Sequence, residues 1–142
     1  MKIKRTGSVS WTGAVKDGRG AITTQSGALS AYPYGFSSRF EGQPGSNPEE
    51  LLGAAHAACF TMATSLILGQ QGFTPERLDT RAEVTLEQVE TGFAITAIHL
   101  TIEGHVPKID ASTFDAIAKQ AKENCPVSKA LSVPITLEIK LA

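Results

Sequence analysis

The chain has 142 residues, which suits one domain and is enough to bury a substantial core without disulfides or metals. Hydrophobic residues make up 42% and charged residues 19%, with 13 Gly and 7 Pro, which excludes disordered, collagen-like and coiled-coil chains. Thirteen Lys and Arg against fourteen Asp and Glu give a net charge of −1, so the basic excess of a nucleic-acid-binding protein is missing. We therefore predict a single domain over residues 1–142 with no nucleic-acid partner.

The cysteine count and the N-terminus indicate the compartment. The N-terminus is basic without a following apolar signal-peptide core, and the chain has two cysteines, so we predict a cytoplasmic protein whose cysteines start as thiols. Two cysteines and three scattered histidines lack the spacing of metal ligands, so we predict neither a metal nor a cofactor. The apolar stretch from Leu51 to Leu68 is interrupted by Gly, His, Thr and Ser, which predicts a buried helix and no membrane span.

The secondary structure can be predicted in chain order. Alternating polar and apolar residues punctuated by glycines predict strands at 2–12 and 20–26. Residues 31–46 are typical of a loop, within which Phe36–Phe40 is predicted as a short strand. Hydrophobic periodicity predicts three further strands and a helix. These are the strands Leu78–Glu87, Phe93–Val106 and Val133–Leu141, and the helix Ile109–Glu123.

The segment that begins Asn47-Pro-Glu-Glu carries strong helix-start signals. Asn caps a helix, Pro suits its first position, and glutamates favour the positive end of the helix dipole. The helix is predicted to continue to Leu68 or Gly69, and beyond its first turn it has no charged residue, which predicts burial nearly all round. Because a small domain has few ways to bury a helix on every side, we favour a homodimer with a shared core.

The two cysteines lie in different settings. Cys59 falls within an apolar stripe of the predicted helix, where a cysteine is ordinarily structural filler and burial without a cation raises the thiol pKa. Cys125 precedes a predicted helical turn at 126–131, whose positive end lowers a thiol pKa. These patterns alone do not decide which thiol is reactive.

Histidines offer an alternative chemistry. His56 lies three residues before Cys59 on an adjoining helix face, which would allow a Cys–His nucleophile of a hydrolase or transferase. No acidic residue is placed to orient the imidazole, which argues against that class. His99 and His105 have no second ligand spaced near them and are interpreted as ordinary polar positions.

Two segments together carry a family resemblance: Asn47-Pro-Glu-Glu-Leu-Leu-Gly-Ala-Ala-His-Ala-Ala-Cys59-Phe and Cys125-Pro-Val-Ser. The match extends over essentially the whole chain through two further segments, Tyr34-Gly-Phe-Ser-Ser-Arg39-Phe and Gly92-Phe-Ala-Ile-Thr. The sequence resembles the osmotically inducible protein C / organic hydroperoxide resistance family. The resemblance implies an α+β fold whose antiparallel β-sheets pack around buried central helices in an intertwined homodimer, with two sites at the subunit interface.

The resemblance also implies an activity and a set of site residues. It implies a thiol-dependent peroxidase of organic hydroperoxides and hydrogen peroxide, recycled by an external dithiol reductant such as a lipoylated protein. Matched residue by residue, Cys59 corresponds to the peroxidatic cysteine and Cys125 to the resolving cysteine. Arg39 and Glu49 correspond to the pair that sets the site. Without the resemblance, Arg39 would be interpreted as a surface loop arginine and Glu49 as a helix-start carboxylate.

Peroxidase chemistry explains why these groups are needed. A thiolate attacks the peroxide and becomes a sulfenic acid, which a second thiol converts to a disulfide. With a pKa of about 8.5, only about 3% of a thiol is ionised at pH 7. Cys59 lies too far into its helix for the dipole to help, so Arg39 would supply the cation and Glu49 would orient it. Glu49 and Cys59 are ten residues apart, about 15 Å along one helix, so we expect Glu49 to come from the partner subunit.

The residues predicted around Cys59 indicate which kind of peroxide it would reduce. Apolar residues are predicted near the thiol and would favour an alkyl or aryl hydroperoxide. The candidates are Met62, Leu66, Phe36, Phe40 and Phe60. The competing interpretation is non-enzymatic: a thiol redox sensor or an apolar-ligand binding module that uses the same cysteines without turnover.

Overall fold

The first three strands form a small antiparallel sheet in the order β1-β2-β3. They are β1 (Gly7–Thr12), β2 (Arg19–Thr24) and β3 (Tyr32–Tyr34). The predicted first strand is shortened, because residues 1–6 lie outside it. Gly20 faces Trp11 and Tyr34, whose rings meet edge to face at 5.5 Å, and any side chain at position 20 would collide with both rings. The glycine therefore allows the rings to pack directly on the strand.

The short strand predicted at Phe36–Phe40 is a helix, α1. Ser38 favours the turn because its Oγ accepts a hydrogen bond from the Gly35 N–H at 3.0 Å. The two phenylalanines, four residues apart, meet on one helix face with ring centroids 4.9 Å apart. The strand prediction was wrong because the Ser38 hydrogen bond and the Phe36–Phe40 contact, both within five residues, stabilise a helical turn.

Helix α2 spans Pro48–Gln70 and begins where the cap signals predict. Asn47 Oδ1 accepts a hydrogen bond from the Glu50 N–H at 2.8 Å, and the two side chains also bond to each other. By length and composition the helix could cross a membrane, a test that the core helix of a soluble protein also passes.

In one chain, α2 is buried on one side only, so its predicted burial nearly all round depends on the second copy that we favour. Phe60 and Leu68 are fully buried, whereas Met62 is 76% exposed and Leu66 is 62% exposed. A helix without charges gives no sign in its sequence of which apolar face meets its own core.

The second sheet contains three strands in the order β4-β5-β6. β4 (Arg77–Val89) and β5 (Gly92–His105) form a long antiparallel hairpin, and β6 (Ile135–Leu141) pairs with β5 in parallel. The expectation of purely antiparallel sheets is therefore wrong here. Helices α3 (Ala111–Asn124) and α4 (Pro126–Ala130) connect β5 to β6, and such a crossover brings the chain back in the same direction.

The structure describes all residues from Met1 to Ala142, which form two units, Met1–Leu51 and Leu52–Ala142. The core of the second unit joins α2, β5 and α3 and includes Phe60, Leu68, Ile98, Leu100, Ile102, Phe114, Ile117, Ala118, Ala121 and Cys125. Gly104 of β5 lies under the Phe114 ring, where any side chain would collide with it. The missing side chain lets α3 lie close against the sheet.

Candidate functional site

Arg39 and Glu49 form an ion pair within the first unit. Arg39 Nη2 lies 2.7 Å from Glu49 Oε1, and Arg39 Nε lies 3.2 and 3.3 Å from the two carboxylate oxygens. The carboxylate side chain is 11% exposed and the arginine side chain 35%. Because Glu49 engages Nε and Nη2, the Nη1 donors stay outside this pair and can meet an anion.

The two cysteines lie together in the second unit. Cys59 projects from α2 and is half-buried, whereas Cys125 is fully buried between α3 and α4. Both are free thiols, Cys59 packs against the core cluster that contains Cys125, and each thiol shifts the pKa of the other. The structure therefore brings together the two thiols that the resemblance implies, while their roles stay predictions.

The surroundings shift the two thiols in opposite directions. Burial raises the pKa of Cys59, the Val127 N–H lowers it, and Cys125 raises it again, so the pKa lies above its ordinary value. Burial also raises the pKa of Cys125, but hydrogen bonds from the Ser128 hydroxyl and N–H, from Cys59 and from the Val127 N–H outweigh it and lower the pKa. None of the groups that shift Cys59 is a cation, so a thiolate there needs one.

His56 occupies a different place from the one its spacing predicts. It is fully buried, and its Nε2 lies 2.8 Å from Ser128 Oγ, a residue 72 positions away. Its Nδ1 has no hydrogen-bond partner, and burial lowers the imidazole pKa. The alternative of a His56–Cys59 pair is therefore not formed. Sequence reasoning missed Ser128, whose only signal was its position three residues after Cys125.

Beside Cys59 runs an apolar groove of about 630 Å³, within the ordinary range for small-molecule sites. It is lined by α2 residues and by residues at the C-terminal end of α3. They are Cys59, Met62, Ala63, Leu66, Ile67 and Gln70 of α2, Gln120 and Asn124 of α3, and Pro126, the first residue of α4. The predicted neighbours Met62 and Leu66 line this groove, whereas Phe60 lies in the core. The structure contains no cluster of three or more His, Cys, Asp or Glu that could hold a metal.

The chain is similar to known proteins over most of its length. Peroxiredoxin OsmC of Escherichia coli K12 is 56% identical over 141 residues, which is 99% of each chain. Organic hydroperoxide resistance protein OhrB of Bacillus subtilis is 29% identical over 124 residues, covering 85% of this chain and 89% of OhrB.

Solved structures share the fold. The crystal structure of Bacillus subtilis OhrB matches with a TM-score of 0.68 at 27% identity, covering 96% of this chain and 98% of OhrB. An OsmC-like protein from Mycoplasma pneumoniae matches with a TM-score of 0.79 at 16% identity over 100% and 99% of the two chains, which shows the fold alone. These matches confirm the predicted α+β class. Residues 40–140 also match the family described as OsmC-like protein. The resemblance carried by the sequence motifs is therefore confirmed, and the chain belongs to the OsmC-like protein family.

Proposed function

We propose that this protein is a thiol-dependent peroxidase that reduces organic hydroperoxides to alcohols and hydrogen peroxide to water. The proximity of Cys59 and Cys125 carries the proposal, because a sulfenic acid formed on one thiol can reach the other without a large movement. The names of the relatives, peroxiredoxin OsmC and organic hydroperoxide resistance protein OhrB, support peroxides as the substrate class.

The groove beside Cys59 orients the hydroperoxide in the proposed reaction. The alkyl or aryl part of a hydroperoxide lies in the groove, and the Cys59 thiolate attacks the distal oxygen. The O–O bond breaks, the alcohol leaves, and Cys59 becomes a sulfenic acid. Cys125 then attacks the Cys59 sulfur, the S–S bond forms, and the oxygen leaves as water. An external dithiol reduces the disulfide and returns both thiols.

Arg39 and Glu49 supply what the Cys59 surroundings lack in this proposal. Glu49 fixes the guanidinium, and the remaining N–H donors stabilise the Cys59 thiolate and the negative charge on the departing oxygen. The ion pair links Arg39 and Glu49 within one chain. If Glu49 comes from the partner subunit, as the spacing along α2 predicts, Arg39 comes with it.

The proposal includes a homodimer located in the cytoplasm. The apolar side of α2 that carries Met62 and Leu66 is exposed in one chain, and a second copy would cover it. Residues 1–142 would then act as one family domain per subunit, with reduced thiols maintained by cytoplasmic dithiols.

Consumption of cumene hydroperoxide in the presence of a dithiol reductant tests the function. We expect repeated turnover by the wild type and none by Cys59→Ser. Ser112→Ala, which removes a hydroxyl from exposed Ser112 on α3, should behave like the wild type. More than a few per cent of wild-type activity in Cys59→Ser would contradict the assignment. A redox sensor would instead consume about one equivalent of peroxide per site and then stop.

A further inference from the structure

Three side chains form a hydrogen-bonded chain behind the proposed resolving thiol. His56 Nε2 lies 2.8 Å from Ser128 Oγ, and Ser128 Oγ lies 3.5 Å from Cys125 Sγ. The Ser128 N–H also points to Cys125 Sγ at 3.5 Å. The buried sulfur thus has two donors from a single residue, and that residue is held by a fully buried histidine.

Proton counting fixes the direction of this chain when Cys125 is a thiolate. A thiolate only accepts, so Ser128 must give its one hydroxyl proton to the sulfur. Ser128 Oγ must then accept from His56, which places the imidazole hydrogen on Nε2. The other tautomer would leave an N–H on Nδ1, which is buried and has no partner. Nδ1 has no partner in either tautomer, and a buried N–H without a partner is rarer in proteins than a buried acceptor without one, so the surroundings of His56 favour the tautomer that supports a thiolate.

We propose that Ser128, held in place by His56, keeps Cys125 as a thiolate aimed at Cys59 for the disulfide-forming step. Both are positioning residues, since neither touches the peroxide. The inference rests on the proposed function for the roles of the two cysteines. It explains why a buried polar histidine lies on the core side of α2 next to the thiol cluster.

The step balances without any further reactant. Cys125 reacts as the thiolate, its proton already released to solvent, and its sulfur electron pair forms the S–S bond with Cys59. The S–O bond of the Cys59 sulfenic acid breaks, and the leaving hydroxide takes up one proton to become water. One thiol and one sulfenic acid therefore give one disulfide and one water.

The other titratable and charged groups around Cys125 are few. From α2 they are Cys59 and His56. From α3, Lys122 and Glu123 are ion-paired at 3.3 Å, and together with Lys129 of α4 they line the cavity beside Ser128. The core strand β5 contributes the apolar side chains Ile98, Leu100 and Ile102.

A titration tests the inference independently of peroxide chemistry. In a Cys59→Ala background, Cys125 is the only thiol, and its ionisation is followed by ultraviolet thiolate absorbance against pH. Ser128→Ala should move the midpoint upward, so that the thiolate fraction at pH 7 falls about tenfold. Ser128→Thr keeps a hydroxyl and should restore most of that fraction. An unchanged midpoint in Ser128→Ala would overturn the inference.

The histidine is tested with a matched pair in the same background. His56→Leu removes the donor to Ser128, whereas His56→Gln keeps an N–H near the Nε2 position. We expect a smaller upward shift with Leu than with Ser128→Ala, and partial recovery with Gln. Thr64→Val is the control, because this buried α2 hydroxyl bonds to the Phe60 carbonyl at 2.9 Å. If Thr64→Val moved the midpoint as much as His56→Leu, general loosening of the core would explain the shift and the inference would fail.

The disulfide-forming step is then measured in the chain with both cysteines. After one equivalent of cumene hydroperoxide, Ser128→Ala should accumulate Cys59 sulfenic acid, trapped by a dimedone reagent, and form the disulfide about tenfold more slowly at pH 7. Raising the pH should restore the rate. An unchanged rate of disulfide formation would overturn the inference and leave the peroxidase function standing. Absence of any peroxide reaction in the wild type would overturn the function, while the titration still decides the role of Ser128.

Discussion

Cys59 and Cys125 are both cysteines and lie close together, yet their surroundings shift their pKa values in opposite directions. Both lose solvent, which raises the pKa of each thiol. The difference lies in the donors: Cys125 receives bonds from the Ser128 hydroxyl and N–H, whereas Cys59 receives a backbone bond from Val127. Burial therefore does not decide the reactivity of a thiol until the hydrogen-bond donors around it are counted. In the proposed mechanism, Ser128 of the same chain stabilises the Cys125 thiolate, whereas Arg39 stabilises the Cys59 thiolate.

The largest effect is expected when Cys125, the proposed resolving thiol, is replaced. Cys125→Ser should react with one equivalent of peroxide and then stop, because no second thiol is present to form the disulfide. Mass spectrometry should show sulfenic or sulfinic acid at Cys59. In Cys59→Ser, the same dose should leave Cys125 unmodified within the time of one wild-type turnover, because Cys125 is fully buried and does not line the groove that takes the peroxide. Unmodified Cys59 in the first variant would contradict the assigned order of the two thiols.

Removing the cation should affect Cys59 alone. Arg39→Ala should raise the Cys59 pKa and slow peroxide attack about 100-fold at pH 7, because donors to the thiolate and to the departing oxygen are lost. The rate should recover in part at high pH, where the thiolate forms without help. Arg39→Lys keeps the charge without the planar fork and should lie between the two. A pH profile of alkylation at Cys59 that does not move in Arg39→Ala would show that Arg39 does not stabilise the Cys59 thiolate.

Mixed dimers test whether Glu49 and Cys59 of one site belong to different subunits. Inactive Cys59→Ser is mixed with a weak Glu49→Ala variant under conditions that exchange subunits. If the two residues of one site belong to different chains, each heterodimer has one intact site, and activity should rise well above the average of the parents. Subunit exchange is verified independently with differently tagged chains. No rise after proven exchange would place both residues of a site on the same chain.

The smallest expected effect concerns the start of α2. Asn47→Ala removes the acceptor for the Glu50 N–H and should lower the free energy of unfolding by about 1 kcal/mol. Chemical denaturation measures this change, and Asn47→Asp, which keeps an acceptor, should recover most of it. A loosened helix start should also slow peroxide attack slightly, because Glu49 lies in the first turn. Equal unfolding free energies for wild type and Asn47→Ala would mean that the cap contributes nothing.

Local signals predicted much of this fold, and non-local contacts account for most of what was missed. The Asn47 cap places the start of α2 correctly because its hydrogen bond reaches only three residues along the chain. The parallel pairing of β6 with β5 depends on how α3 and α4 return the chain, which no periodicity of the strand itself encodes. The contact between His56 and Ser128 joins residues 72 positions apart, so it became visible only in the folded chain. Arg39 and Glu49 were singled out by family resemblance, since their own residue types suggested surface positions.

The contact of Gly104 with the Phe114 ring has a consequence at the far end of α3. Phe114 is in the first turn of that helix and Cys125 follows its last residue, about 16 Å further along the axis. A helix is stiff over such a length, so it behaves as a rod pivoting on its packing against the sheet. Any side chain at position 104 would lift the rod at the Phe114 end and move the sulfur at the other. The absence of a side chain at Gly104 thus helps to set the position of the Cys125 sulfur at the other end of α3.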